Sequence, residues 1–259
     1  MRIVTFASGS SGNCALVSYG STHLLIDAGI SLRRIRAALL RQYLEPEDLA
    51  GVLITHEHGD HISALPMLVK HHALPVYAPR TVGNSLCRRV AGMEEYLRTV
   101  VPGEPFSVKE LRVTAFPTPH DTDESVGYAL EGDVRFGFCT DTGHISEEML
   151  ASLSGCDGVL IEANHDLEML RFGAYPVYLK RRILSPRGHL SNDDCAELAC
   201  RLAEAGARYI ALGHLSRENN RPSLARETVR RALDAAGYTA AALSVAPAEG
   251  ELVLEIAPC

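Results

Sequence analysis

Apolar residues follow two different spacings along the chain, and each spacing predicts one kind of element. Short apolar runs bounded by Gly, Pro, Asn or Asp are typical of strands. The strands predicted in this way are 2–6, 14–19, 23–27, 51–54, 75–78, 111–117, 125–131, 134–140, 157–161, 208–212, 239–245 and 252–256. Segments with apolar residues at helical spacing predict helices at 31–42, 62–72, 80–91, 146–153, 176–184, 191–205 and 223–236.

Many short strands with fewer helices predict an α/β protein in which two sheets pack together and helices lie outside. The pattern alone does not distinguish this arrangement from other α/β layerings. The 259-residue chain contains no low-complexity tract, internal repeat or Gly/Ser-rich linker. We therefore predict one domain over 1–259, large enough to bury a sizeable core.

Composition predicts a globular cytoplasmic protein without a membrane segment. The hydrophobic fraction is 46% and the mean hydropathy is +0.02, and no apolar run is long enough to span a bilayer. The N-terminus shows no secretory signal. The seven cysteines are scattered, without a Cys-x-x-Cys pair, which favours a reducing compartment over a disulfide framework.

The net charge of −7 does not by itself indicate a nucleic-acid binder. The chain nevertheless contains a local basic run, Lys180-Arg181-Arg182 followed by Arg187. It is consistent equally with a solvated helix face and with a basic surface beside a site. Gly173, Pro176 and Pro186 bound the segment, so we also consider it as a mobile flap.

The densest polar cluster follows an apolar strand-like run and reads Thr55-His56-Glu57-His58-Gly59-Asp60-His61. Neutral imidazole and ionised carboxylate are ligands for zinc, manganese and iron. His56 and His58 are two positions apart and project the same way from extended backbone. Gly59 allows a sharp turn before Asp60 and His61. We therefore predict a metal site here rather than a polar turn.

Further polar residues end or follow later strands, where chemistry is often found in layered α/β folds. They are His120, Asp141 and His214, each a weak signal alone because strand ends often carry turn residues. Cys139 precedes Asp141 by two positions, but we interpret it as a small buried apolar residue. Glu162 ends another strand, and the sequence assigns it no role.

The motif His-x-His-x-Asp-His after a strand resembles the signature of the metallo-β-lactamase fold. The resemblance implies a four-layer αββα sandwich with a dinuclear metal site at the edge of the two sheets. It assigns one ion to three histidines and the other to Asp60 and two histidines, with Asp141 bridging. The predicted ligands are His56, His58 and His120 for the first ion, and Asp60, His61 and His214 for the second. The resemblance also places Asp27 behind the ligands, where its carboxylate is expected to accept the second N–H of a ligating histidine.

The resemblance also limits the chemistry. Redox di-iron relatives carry glutamate at the position of His58, so imidazole there favours hydrolysis. A bridging carboxylate suits a closely spaced pair of ions that share a hydroxide nucleophile. His and Asp ligands suit two divalent ions, zinc or manganese, with iron possible. Asp60 is therefore predicted to be essential for catalysis.

His189 precedes a predicted helix, and phosphodiesterases of this fold carry a comparable histidine that touches the scissile phosphate. We hypothesise that His189 is a second catalytic residue, which protonates the leaving oxygen or binds the phosphate. The alternative is a structural histidine at a helix start. The early Ser/Gly/Asn loop offers backbone N–H groups to an anion or is only a tight turn. Predicted substrate contacts are Ser10, Ser11, Asn13, Arg187, His189, Ser216 and Asn219.

Motifs spread over positions 8–220 resemble the YycJ/WalJ-like family in particular. They include Ser8–Asn13, Glu162–Asp166 and Gly213–Asn220. This resemblance implies a 5′-to-3′ exonuclease acting on a nucleic acid, with DNA favoured over RNA. His214 follows Asp141 by only 73 residues, which leaves no room for an RNase J-like inserted domain.

Two alternatives remain open at this point. One is a thioesterase or a small-molecule (cyclic) phosphodiesterase that uses the same two ions. The other is a metal-stabilised interaction module without catalytic activity. The complete set of ligand positions argues against the interaction module.

Overall fold

The computed structural model describes residues 1–258 and contains two seven-stranded sheets. The strands β1 to β14 are Arg2–Ala7, Cys14–Tyr19, Thr22–Ile26, Gly51–Leu53, Val76–Pro79, Leu97–Val100, Pro105–Val108, Leu111–Pro117, Val126–Glu131, Arg135–Cys139, Gly158–Glu162, Tyr209–Gly213, Ala242–Val245 and Leu252–Glu255. One sheet has the order β14-β1-β2-β3-β4-β5-β6 and the other β13-β12-β11-β10-β9-β8-β7.

The helices α1 to α10 are Leu32–Arg41, Gly59–Ile62, Leu65–His72, Arg80–Arg89, Met93–Tyr96, Glu147–Leu153, Leu167–Phe172, Val177–Ile183, Asn192–Glu204 and Pro222–Ala235. A 3-10 turn, Pro46–Asp48, follows α1. None of the helices within 1–258 has the length and apolar character needed to cross a membrane.

Alternating side chains of the strands build three apolar layers. In β3, Leu24 and Ile26 pack between the two sheets, whereas Leu25 packs under the outer helices of its own sheet. A third cluster places Leu198 of α9 and Val229 of α10 against the outer face of the second sheet. Because successive strand residues face opposite sides, each sheet is covered on both faces. The predicted αββα sandwich is confirmed.

Two contacts join the sheets at the end of β4, where the His/Asp cluster begins. The hydroxyl of Tyr128 in β9 donates to the carbonyl oxygen of Ile54 at 2.6 Å, and both residues are fully buried. The Val126 N–H donates to the Thr55 carbonyl at 3.1 Å. Buried hydrogen bonds of this kind fix the position of the following loop against both sheets.

Several predicted elements differ from the structure. The predicted helix 62–72 is divided into α2 and α3, because Pro66 lacks the N–H that would bond one turn back to Ile62. The edge strands β6 and β7 and the short helices α5 and α7 were not predicted. Leu97–Val100 and Pro105–Val108 are short and partly exposed, so they lack a continuous apolar pattern.

Candidate metal centre

The seven predicted ligands converge at one edge of the two sheets. Three of them lie shortly after the end of a strand: His120 after β8, Asp141 after β10 and His214 after β12. Strands β10, β11 and β12 are parallel neighbours, so their carboxyl ends lie at the same edge. The cleft there has a volume of about 280 Å³. It is lined by Ser10, His58, Asp60, His120, Asp141, Asn164, Tyr175, Leu179, Arg182, Ile183, His189, His214 and Ser216.

A first group of three imidazoles comprises His56, His58 and His120. One nitrogen from each lies within 4.8 Å of the others, a spacing that allows them to share an ion. The Nε2 atom of His56 is 3.1 Å from the Nδ1 atom of His58. Burial and the surrounding imidazoles lower the pKa of His56, which keeps it in the neutral form that binds a metal.

A second group comprises Asp60, His61 and His214, again with ligand atoms within 4.8 Å of one another. Asp60 Oδ2 lies 3.6 Å from His61 Nε2 and 4.0 Å from His214 Nε2. Burial favours the neutral carboxyl of Asp60, but the two imidazoles outweigh it and hold its pKa below the usual range. Asp60 is therefore an ionised carboxylate that faces two imidazoles.

Asp141 lies between the two groups. Its Oδ2 atom is 3.3 Å from His61 Nε2, and its Oδ1 atom is 3.8 Å from His120 Nε2. Among the described residues, Asp141 Oδ2 and the Nε2 atoms of His120 and His214 are buried without a hydrogen-bond partner. Buried polar atoms are nearly always paired, so a donor set of this chemistry fits a cation.

Two buried carboxylates orient the histidines from behind. Asp27 Oδ2 lies 2.7 Å from His61 Nδ1, and Oδ1 accepts the Thr55 N–H at 2.9 Å. Glu162 Oε1 accepts from the Nδ1 atoms of His214 at 2.8 Å and His189 at 2.7 Å. Because Nδ1 is held in this way, Nε2 of each ring faces the cleft or the ligand group. The position of Asp27 is the one the sequence predicted, whereas sequence reasoning gave Glu162 no role.

The pKa shifts of Glu162 and His61 follow from these contacts. Burial alone would raise the pKa of Glu162, but the imidazoles of His189 and His214 hold it well below its usual range. Burial alone would lower the pKa of His61, but Asp27 and Asp141 raise it to about 9. The excess of negative charge that attracts a proton here is equally suited to attract a metal ion.

Three of these residues have a left-handed backbone. The φ angles are 60° at Asp27, 58° at Asp141 and 55° at His214. Each stands just past a strand, where the left-handed turn returns the side chain to the sheet edge. Non-glycine residues adopt this conformation at a cost of about 1–3 kcal/mol, which the surrounding contacts must offset.

The loop that carries Asp60 is packed against the start of the chain through Gly29. The Asp60 carbonyl accepts the Asn13 N–H at 2.8 Å, and the Gly29 N–H donates to the Asn13 carbonyl at 2.8 Å. A Cβ atom on Gly29 would lie 1.6 Å from the Asp60 oxygen. Gly59 behaves differently from the prediction of a sharp turn. It begins α2, has no positive φ, and a Cβ atom there would meet nothing within 4 Å.

We therefore expect Gly29→Ala, but not Gly59→Ala, to disturb the centre. Relief of the overlap at Gly29 must displace the backbone of Asp60, costing about 1–3 kcal/mol or more of unfolding free energy. Metal retention measured by elemental analysis after gel filtration should fall in parallel. Gly59→Ala is the matched control within the motif, and equal behaviour of the two variants would contradict this account.

The predicted substrate contacts divide into two groups. Ser10, His189 and Ser216 line the cleft. The other four, Ser11, Asn13, Arg187 and Asn219, are not among the residues that line it.

Each of those four side chains makes a local contact within the chain. Asn13 is 2% exposed, and its side chain bonds to Gly9 and faces His61 Nε2 at 3.1 Å. The Arg187 guanidinium donates to the carbonyl oxygens of His120 and Thr122.

Asn219 and Ser11 also bond to neighbouring side chains. Asn219 is 1% exposed and bonds to the Ser216 hydroxyl, so it shapes a turn rather than the cleft. Ser11 accepts a hydrogen bond from Arg217 at the surface. These contacts join loops to one another, and a contact of the four residues with a substrate stays a prediction.

Sequence reasoning missed Asp121, which forms an ion pair with Arg182 of the cleft lining. Asp121 follows His120 directly, and its Oδ1 atom lies 3.3 Å from His120 Nε2. Its other oxygen accepts from Arg182 of α8. The polar neighbour of a predicted ligand was the available signal for Asp121. Cys139 is buried and its thiol contacts Met149, in agreement with the interpretation as a packing residue.

Comparison with known proteins agrees with this fold. Residues 22–214 match the family model of the beta-lactamase superfamily domain. Exodeoxyribonuclease YycJ of Bacillus anthracis is 36% identical over 242 residues, covering 92% of this chain and 91% of the relative. Exodeoxyribonuclease WalJ of Streptococcus pneumoniae is 38% identical over 229 residues, covering 86% and 84%.

A solved structure extends the likeness to the whole fold. The metallo-β-lactamase fold protein YhfI of Bacillus subtilis matches with a TM-score of 0.74 at 17% identity, covering 98% of each chain. The fold and the His/Asp groups together indicate divalent metal binding. The chain belongs to the metallo-β-lactamase superfamily and, within it, to the family of YycJ and WalJ.

Proposed function

We propose that this protein is a metal-dependent exodeoxyribonuclease that hydrolyses phosphodiester bonds of DNA from the 5′ end. The observation that carries the proposal is the pair of three-ligand groups on either side of Asp141, in one cleft. Relatives named exodeoxyribonucleases, at 36% and 38% identity over most of the chain, support the reaction class.

The residues fit two divalent ions, zinc or manganese, with iron as the third candidate. His56, His58 and His120 would hold one ion, and Asp60, His61 and His214 the other, with Asp141 between them. When bound, such a pair supplies a nucleophile at neutral pH and neutralises charge on the phosphate.

The six cysteines of the described residues are unpaired, which supports action in the cytoplasm.

His189 is the protein group best placed to handle the proton of the leaving oxygen. Its Nδ1 atom is engaged by Glu162, so Nε2 remains for a group in the cleft. Burial tends to lower the pKa of His189, but Glu162 and Asp141 raise it above the ordinary value. A histidine held in this way is able to donate a proton near neutral pH.

We expect His189→Ala to lower kcat by about 10²–10⁴-fold, the usual contribution of a general acid. The metal content should stay near that of the wild type, because His189 lies outside the two groups proposed to hold the ions. His189 clusters instead with Asp141, Glu162 and His214, and its Nδ1 atom is engaged by Glu162. Steady-state kinetics and elemental analysis on the same preparation check both points. Loss of a metal ion in this variant would identify His189 as a ligand and contradict the assignment.

The direct test of function is a substrate panel on protein loaded with manganese or zinc. We expect release of nucleotides from 5′-phosphorylated DNA, with slower release from RNA and no turnover of thioesters. Hydrolysis of cyclic nucleotides or thioesters, but not DNA, would instead favour a small-molecule enzyme. An absence of any metal-dependent hydrolysis would leave the metal-stabilised interaction module.

A further inference from the structure

An unusual surface lies beside the metal cleft, on residues 171–187, which we call the rim segment. It contains the end of α7 and all of α8. Two of its aromatic side chains are largely exposed, Phe172 at 86% and Tyr178 at 74%. Large exposed rings next to an active site indicate a binding surface, since solvent contact gives them no stabilisation.

The rim segment also carries concentrated positive charge. It contains five Lys and Arg residues and no Asp or Glu, in a chain whose net charge is −7. Arg182 pairs with Asp121, but Lys180 and Arg187 donate only to carbonyl oxygens. Within 1–258, the guanidinium groups of Arg171 and Arg181 form no hydrogen bond or ion pair, although the Arg171 carbonyl accepts from Lys180. Most of this charge is therefore not neutralised by protein carboxylates.

Several contacts anchor the rim segment to the cleft. Leu179, Arg182 and Ile183 of α8 line the cleft itself. The Arg182–Asp121 pair ties α8 to the loop after β8. Lys180 Nζ donates to the Gly173 carbonyl at 2.7 Å, which joins α8 to the end of α7. The exposed rings and charges are thus held at a set position relative to the metal ligands.

We propose that the rim segment binds a single-stranded stretch of nucleic acid, with Phe172 and Tyr178 stacking on unpaired bases. This inference rests on the proposed function and specifies the form of its substrate. Arginines without protein partners supply phosphate contacts, and exposed rings supply stacking surfaces, the combination used by single-strand binders. Bases within a duplex already cover one another's faces, so the rings gain contact only with unpaired bases.

The test compares wild type with the double variant Phe172→Ala/Tyr178→Ala. The probe is a fluorescent oligothymidylate of about twelve nucleotides, within the site sizes of single-strand binders, with phosphorothioate linkages that resist hydrolysis. We expect Kd to rise by about 5- to 150-fold for each ring removed. Binding of a blunt duplex of the same length should not change. Tyr43→Ala is the matched control, because Tyr43 is 95% exposed and lies outside the rim segment.

Two further measurements sharpen the result. The variant Phe172→Leu/Tyr178→Leu keeps the apolar bulk and removes the rings, so it should lose single-strand affinity as the alanine variant does. Retained affinity in the leucine variant would overturn stacking in favour of a general apolar surface. Arg181→Ala should reduce the slope of log Kobs against log salt by about 0.7, the value for one lost phosphate contact on a single strand.

The outcomes separate this inference from the proposed function. Metal-dependent DNA hydrolysis by wild type, with the same single-strand Kd in wild type and double variant, overturns the inference alone. An equal loss of duplex and single-strand affinity also overturns it. Ring-dependent binding of the strand without hydrolysis of unmodified DNA overturns the proposed function and supports the rim segment as a single-strand site.

Discussion

Asp141→Ala is expected to lower kcat for phosphodiester hydrolysis by about 10³-fold or more. The carboxylate lies within 3.3 Å of His61 Nε2 and 3.8 Å of His120 Nε2, one from each ligand group. Asp141 is therefore positioned between the two candidate ligand groups. Loss of several kcal/mol of charge stabilisation corresponds to a rate loss of this order.

The physical reason for the effect is also visible in the charge balance. Burial would raise the pKa of Asp141, but the imidazoles of His214 and His61 lower it, so the carboxylate is ionised. When the Asp141 carboxylate is removed, no negative charge separates the buried imidazoles from any bound cations. Binding of two ions in close proximity then becomes unfavourable.

The measurement is kcat together with metal content, for Asp141→Ala and Asp141→Asn. Both variants should retain less than two equivalents of metal, because an amide provides no charge. Asp133→Ala is the matched control, since Asp133 is exposed in the turn before the same strand, β10. Retained turnover in both Asp141 variants would refute the bridging assignment, and with it the division of ligands into two groups.

The candidate ligands were predicted from the His-x-His-x-Asp-His motif and its resemblance to the metallo-β-lactamase signature, and the structure brings these residues together at one edge of the sheets. His120 and His214 were weak signals as polar residues after strands, and the resemblance assigned them to the site. The role of Glu162 was not predictable, because it depends on the order of strands in the sheet. Strand β11 lies between β10 and β12, which places Glu162 beside both Thr142 and His214.

Loop contacts between distant segments were equally hidden in the sequence. Asn13 appeared to be a candidate for anion binding, but the loop of Asp60, 47 positions later, engages it through hydrogen bonds. The pair of Asp121 and Arg182 joins residues 61 positions apart. Neither contact leaves a local pattern, because complementary partners at such separations are specified only by the folded chain.

Glu162→Gln is expected to affect both metal binding and the chemical step. Glu162 is fully buried, and one of its oxygens receives the Nδ1 atoms of both His189 and His214. Loss of an outer carboxylate on a ligating histidine typically lowers metal affinity by about 10–100-fold. At saturating metal, kcat should still fall by roughly 10²-fold, because His189 also loses the group that orients its proton.

Asp27→Asn provides the comparison that isolates this double role. Asp27 contacts His61 and Thr55 but no residue that donates a proton into the cleft. We expect its substitution to weaken metal binding by a similar factor, with kcat at saturating metal close to that of the wild type. Metal titrations followed by activity, with circular dichroism to verify folding, distinguish the two variants. If saturating metal restores the kcat of Glu162→Gln as fully as that of Asp27→Asn, Glu162 acts only through His214. In that case His189 requires no carboxylate for its proton transfer.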